Sequence, residues 1–187
     1  MNSSTLSDNL HEVLGEVRRL RRRFARTAPA EWDPVTAAAE LSVQVGHLAL
    51  CVLRRQGRDV GDLEDTQRPI TDVGDELADV ALAALSIAVL ADADPDSSSR
   101  KPPPAGDEVE AFLRLLVAAG TLSETAMVVC RYRHRPNGLL LPLSEAASRV
   151  ITACEALANH LGLDLLAEFR SMAVDADAFL KSRGDGE

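Results

Sequence analysis

The sequence predicts an all-α protein. Three observations carry the prediction: Ala and Leu dominate every long segment, aromatic residues make up only 3% of the chain, and β-branched runs bounded by turns are scarce. The 187 residues suffice for one domain or two small ones, and a hydrophobic fraction of 46% suffices for a sizeable core.

The elements follow in order. From Ser7 to Arg26, the residues Leu10, Val13, Leu14, Val17, Leu20 and Phe24 recur at helical spacing and define one apolar side. A break spans Thr27 to Trp32. Asp33 then stands as an N-cap with Pro34 at the first helical position, opening a second helix that runs to about Arg55 and stops at Gly57. Residues Gly57 to Pro69 read as loop. Asp72 caps a third helix whose body, Val80 to Leu90, is apolar on all sides and is therefore expected at the centre of the core.

The segment from Asp92 to Gly106, with three serines followed by Pro102, Pro103 and Pro104, has the composition of a linker. It divides the chain into a first helical region, 1–92, a linker, 93–106, and a second helical region, 107–187. The second region predicts helices over Asp107 to about Tyr132, Ser144 to about His160 and Asp164 to about Leu180, with a loop from Arg135 to Pro142. The halves thus share a rhythm of three helices. Setting Glu145-Ala-Ala-Ser148 beneath Glu76-Leu-Ala-Asp79 matches one acid and loses the other, which fits either a degenerate repeat or chance similarity of helical segments.

A formal net charge of -9 and a pI near 4.9 argue against nonspecific binding of the whole molecule to nucleic acid or an anionic membrane. No unbroken apolar run reaches the length of a membrane span, and the polar start of the chain resembles no secretion signal. The expectation is a soluble cytoplasmic protein. Cys51, Cys130 and Cys154 are odd in number, widely spaced and set in apolar contexts, so they read as buried thiols.

Within this apolar chain, two helices each carry a narrow polar stripe. Glu40, Gln44, His47 and Cys51 fall within a strip roughly 60° wide on the second helix, and Asp72, Glu76 and Asp79 line one edge of the third. An unpaired carboxylate on a buried face costs several kcal/mol or takes up a proton, so such groups are usually paired, hydrogen-bonded or bound to a cation. Asp72 and Asp75 are explained by the helix N-terminus, where acids stabilise exposed amides. Asp79 lies too deep for that. Glu76 and Asp79, one turn apart, have the spacing at which two carboxylates share or flank a divalent cation. The arginines Arg18, Arg19, Arg21, Arg22, Arg23 and Arg26 fit a solvated helix face better than a phosphate clamp.

Gly74-Asp-Glu-Leu-Ala-Asp-Val80, preceded by Gln44-Val-Gly-His-Leu48, resembles the MazG-like branch of the all-α nucleoside triphosphate pyrophosphohydrolases over about Val35 to Leu90. That resemblance implies a MazG-like helical bundle, commonly assembled from two chains, which cleaves a nucleoside or deoxynucleoside triphosphate to monophosphate and pyrophosphate with magnesium. Such enzymes carry Glu-x-x-Glu on one helix and Glu-x-x-Asp on the next. Glu76 and Asp79 match the second pair, whereas Gln44 and His47 stand where the first pair of glutamates would be. Leu161-Gly-Leu-Asp-Leu165 also looks like the end of such a domain, although Ser148 replaces an acid.

The departure removes two negative charges and so weakens a site for magnesium, which prefers oxygen ligands. Manganese tolerates imidazole better, and Glu40 offers a substitute carboxylate. The expected site therefore comprises Glu40, Gln44 and His47 as catalytic groups, and Glu76, Asp79, Glu40 and His47 as ligands for Mg2+ or Mn2+. The alternative is an inactive MazG-like protein that serves as a nucleotide-binding or protein-interaction module. The resemblance implies a homodimer, unless the second half completes the bundle within one chain.

Overall fold

A computed structural model describes residues 5–95 and 105–184. Among them lie six α-helices and one 3-10 turn, in the order 3-10 turn (Ser7–Asn9), α1 (Leu10–Thr27), α2 (Pro34–Arg55), α3 (Val73–Leu90), α4 (Glu108–Val129), α5 (Leu143–Leu161) and α6 (Leu165–Ser182). The all-α expectation is met, and the described residues contain no strand.

Local chemistry sets most of the boundaries. Asp33 accepts a 2.7 Å hydrogen bond from the Thr36 amide with Pro34 at the first position of α2, and Asp72 accepts from the amides of Gly74 and Asp75 at the start of α3. Asp107 and Asp164 cap α4 and α6 in the same way. Helix α4 stops at Val129, three residues before the expected end. Arg131 adopts a left-handed φ of 64°, and the Tyr132 amide turns back onto the Met127 carbonyl at 2.8 Å. Gly162, with φ 72°, ends α5 where a residue with a side chain would be strained. The serines and prolines of the expected linker, residues 96–104, lie outside the described residues.

Helices α2 and α3 form a hairpin with the most extensive packing in the molecule, and α4 and α5 form a second. The hairpins lie side by side, α2 on α4 and α3 on α5, and together make a four-helix bundle. Helices α1 and α6 pack on α3 and on each other. Surrounded on several sides, α3 buries every residue from Glu76 to Ala88 except Asp79, as its uniformly apolar body requires. One hydrophobic cluster draws residues from all six helices. At Gly74, a Cβ would fall 2.7 Å from the Glu168 carboxylate, so any larger residue there would turn that side chain aside.

The loop after α2 is pinned to the start of α3. Arg54 donates to the Ile70 carbonyl and to the Glu64 carboxylate, which also accepts from the Ile70 amide, while Val60 is buried beneath the loop. Arg54 thus does more than complement the dipole at the C-terminal end of α2.

The arginine run of α1 corrects the expectation of a solvated face. Arg23 is only 4% exposed and pairs with Asp177 on α6, Arg19 bonds both Glu16 and Asp177, and Arg18 pairs with Asp94. Only Arg22 and Arg26 are exposed throughout. A smaller correction concerns the thiols: all three cysteines are free, with Cys51 and Cys154 buried but Cys130 only half-buried. Helices α2 and α4 are each long and apolar enough to cross a membrane by length and composition, with mean hydropathies of 1.4 and 1.5, and the bent pair α5 and α6 would add a third span. In the first of them, Glu40, Gln44 and His47 interrupt the apolar sequence.

Candidate functional site

The hairpin places the stripes of α2 and α3 face to face. Because the helices run antiparallel, the C-terminal end of the α2 stripe meets the N-terminal end of the α3 stripe. His47 Nδ1 lies 3.3 Å from Glu76 Oε2, and one helical step beyond Glu76, Asp79 comes within electrostatic reach of Glu40. Glu40, Gln44, His47, Glu76 and Asp79 are therefore brought to one face. Cys51, at the far end of the strip, directs its thiol at the Ile70 carbonyl, and burial pushes its pKa up to about 11. A thiol so disfavoured as thiolate is a packing group rather than a ligand.

Hydrogen bonding on this face is incomplete. Gln44 Nε2 donates to Glu40 Oε1 at 2.8 Å, which uses one of the amide's two N–H donors and leaves its carbonyl oxygen buried without a partner among the described residues. Glu76 is 8% exposed, and its Oε2 also accepts no hydrogen bond, because His47 approaches within ion-pair distance without the alignment of one. Two buried oxygen acceptors thus stand unspent on facing helices. Native interiors seldom leave such groups unmatched.

The electrostatics agree with the geometry. Desolvation pushes the Glu76 carboxyl up to about 7, with repulsion from Asp79 and Asp75 adding to the effect and Arg68 opposing it. Asp79 is also pushed up to about 7, first by burial and then by Asp75 and Glu40, against the pull of Arg21. His47 is lowered, chiefly by desolvation and then by Arg68. Each group is driven toward its neutral form, chiefly by desolvation, and the two carboxyls further by the acids around them.

Arg21 is the residue that the sequence reading misplaced. It packs over the rings of Phe24 and Trp32, with its guanidinium carbon 4.6 Å and 4.7 Å from their centroids. Its Nε is buried without a hydrogen bond among the described residues. Burial lowers its pKa to about 10, opposed by Glu40 and Asp79. The signal was available: Arg21 lies four residues after Val17 and three before Phe24, on the apolar stripe itself.

No family model, curated protein or solved structure matches the chain. The MazG-like resemblance accordingly rests on this chain's own residues, those of α2 and α3 and the segment Leu161 to Leu165.

Whether those residues suit a divalent cation can be tested on their arrangement. Among the described residues, no three His, Cys, Asp or Glu side chains converge closely enough to hold a metal ion by themselves. The donors present are nevertheless oxygens, two of them unspent, on the carboxylate Glu76 and the amide Gln44. Magnesium typically keeps several waters and takes one or two carboxylates together with substrate phosphates, rather than a cage made wholly of protein. Among the described residues the face offers oxygen donors to a divalent cation without closing a cage of protein ligands around one.

Proposed function

We propose that this chain is a divergent MazG-like nucleotide pyrophosphohydrolase, converting a nucleoside or deoxynucleoside triphosphate to monophosphate and pyrophosphate. One observation carries the reading: Glu76 and Asp79 lie one turn apart, desolvated and pushed up to about 7, opposite the unspent carbonyl of Gln44. Carboxylates held this far from their ordinary state by desolvation and a neighbouring acid are candidates for a functional site. Glu76 and Asp79 would hold Mg2+ or Mn2+ together with the phosphates, and Glu40 would supplement them. The ion would neutralise the polyphosphate and acidify an attacking water. Gln44 Oε1 is placed to accept a hydrogen bond from water, and His47, kept neutral by desolvation, is a base within the same face.

A second reading has its own support. The Gln44 to Glu40 hydrogen bond and the His47 to Glu76 approach partly satisfy the stripes internally, as in an inactive member that serves as a binding module.

Pyrophosphate release over a nucleotide panel, with magnesium and with manganese, separates the two, using Glu76→Ala as control. Release at least a hundredfold above the control is the expected outcome. Equal rates under both metals would leave the binding module as the function. Light scattering on the same preparation distinguishes a monomer, completed by its own second hairpin, from the homodimer that the resemblance implies.

A further inference from the structure

We propose that Arg21 is a phosphate-binding residue of this face: its guanidinium, held over Phe24 and Trp32, receives oxygens of a polyphosphate bound there. The inference rests on the reading of the α2/α3 face as a polyphosphate site and names a recognition element from outside that hairpin.

Three features point to this role. First, the donors are unspent. Arg21 forms neither a hydrogen bond nor an ion pair among the described residues, whereas its neighbours Arg19 and Arg23 are committed to Asp177. Second, the side chain is pre-oriented. Two aromatic rings, their centroids 4.6 Å and 4.7 Å from its guanidinium carbon, hold the group in place, and a planar fork of donors matches phosphate oxygens two at a time. Third, the position is apt. Glu40 and Asp79 are the two carboxylates whose charge Arg21 feels, which sets it on the side of the α2/α3 face. A residue that served only as counter-charge would gain by closing onto one of those carboxylates, and Arg21 does not.

The chain supplies its own reporter, since Trp32 is its single tryptophan and lies against Arg21. The intact protein is titrated with inorganic tripolyphosphate in the presence of Mg2+, following Trp32 fluorescence and, in parallel, calorimetric heat. A saturable change in Trp32 emission is expected. Arg21→Gln should weaken binding about tenfold or more, the loss typical of a charge-assisted pair. Arg21→Lys retains the charge but not the planar fork, and should still lose roughly threefold or more. Arg22→Gln, exposed and one residue away, makes the same change in net charge as Arg21→Gln and should bind as the wild type does.

Wild-type affinity in both Arg21 variants overturns the proposal, as does calorimetric binding to which Trp32 is silent, or no binding at all. Should Arg21→Gln fail to fold, as judged by its melting curve, Arg21→Lys decides. The outcome is separable from that of the hydrolase reading. Arg21-dependent binding without pyrophosphate release would sink the enzyme and keep this assignment, whereas release with an unchanged KM in Arg21→Gln would do the reverse.

Discussion

Hairpins α2/α3 and α4/α5 open on the same device, an aspartate whose side chain accepts the amide three residues on: Thr36 for Asp33, and Glu110 for Asp107. Both then carry a 22-residue helix into a loop and a return helix on the bundle core. What they place between the helices differs. The first fully buries the Glu76 carboxylate and the Ser86 hydroxyl, whereas the second, although it half-buries Glu108, Glu110, Arg114, Glu124 and Glu155, fully buries only the hydroxyls of Thr125 and Ser148 among its polar side chains. A hydroxyl can return its proton to its own helix, as Ser148 does to the Ser144 carbonyl at 2.9 Å. A carboxylate has no such local remedy. Of the two hairpins, the first alone fully buries a carboxylate among the described residues, that of Glu76.

The largest effect should come from the shared scaffold. Leu85→Ala on α3, packed from several sides, is expected to cost about 2–5 kcal/mol. Leu122→Ala should lie lower in that range, because α4 leaves Leu113 and Val117 on an open outer face. Urea denaturation compares them, and equal losses would mean that α3 is not the central element.

Next comes a charge effect confined to the first hairpin. Glu76 and Asp79 have folded pKa values above their unfolded ones, so between about pH 4 and pH 7 the folded state holds more protons and stability falls as pH rises. His47, lowered, acts in the opposite sense below its ordinary value and blunts the trend. Glu76→Gln should therefore raise stability at pH 8 by roughly 2 kcal/mol, or about 4–8 °C in Tm, and change little at pH 5. In the second hairpin, Thr125→Val removes a buried hydroxyl that has no partner among the described residues, and should be neutral or stabilising by about 1 kcal/mol at both pH values. Thermal melts at pH 5 and pH 8 check the pair. A pH-independent response in Glu76→Gln would erase the distinction between the hairpins.

The smallest effect separates the caps. Asp107→Ala should cost about 1 kcal/mol through loss of its hydrogen bond to the Glu110 amide. Asp72→Ala forfeits a similar cap but relieves repulsion on Asp75 and Glu76, so at pH 8 its loss should be only a few tenths of a kcal/mol. Chemical denaturation at pH 8 reads the difference, and equal losses would show that the repulsion is absent.

Much of this was legible in the sequence because its signals are local. The caps at Asp33 and Asp72 follow from residue type at the start of an apolar run, and the uniformly apolar body of α3 and the one-turn spacing of Glu76 and Asp79 from helical periodicity. What was not legible depends on which helix lies against which. A stripe on α2 does not reveal that His47 will meet Glu76 and Gln44 will bond Glu40 on its own helix. Six arginines in α1 look like a solvated face until α6 brings Asp177 to Arg19 and Arg23. Arg21 was hidden by its company, a charged residue on an apolar stripe whose partners are aromatic rings rather than acids. The early end of α4 follows from the positive φ at Arg131, a position where sequence offers no glycine to announce it.

The central claim is that the α2/α3 face binds a divalent cation only together with a polyphosphate. Calorimetric titration tests it most directly: Mg2+ alone, a non-hydrolysable deoxynucleoside triphosphate analogue alone, and the two combined, on the wild type and on Glu76→Ala/Asp79→Ala. The account predicts measurable binding only for the combination, and its loss in the double variant. Tight binding of Mg2+ alone, or equal binding of the combination by both proteins, would contradict it.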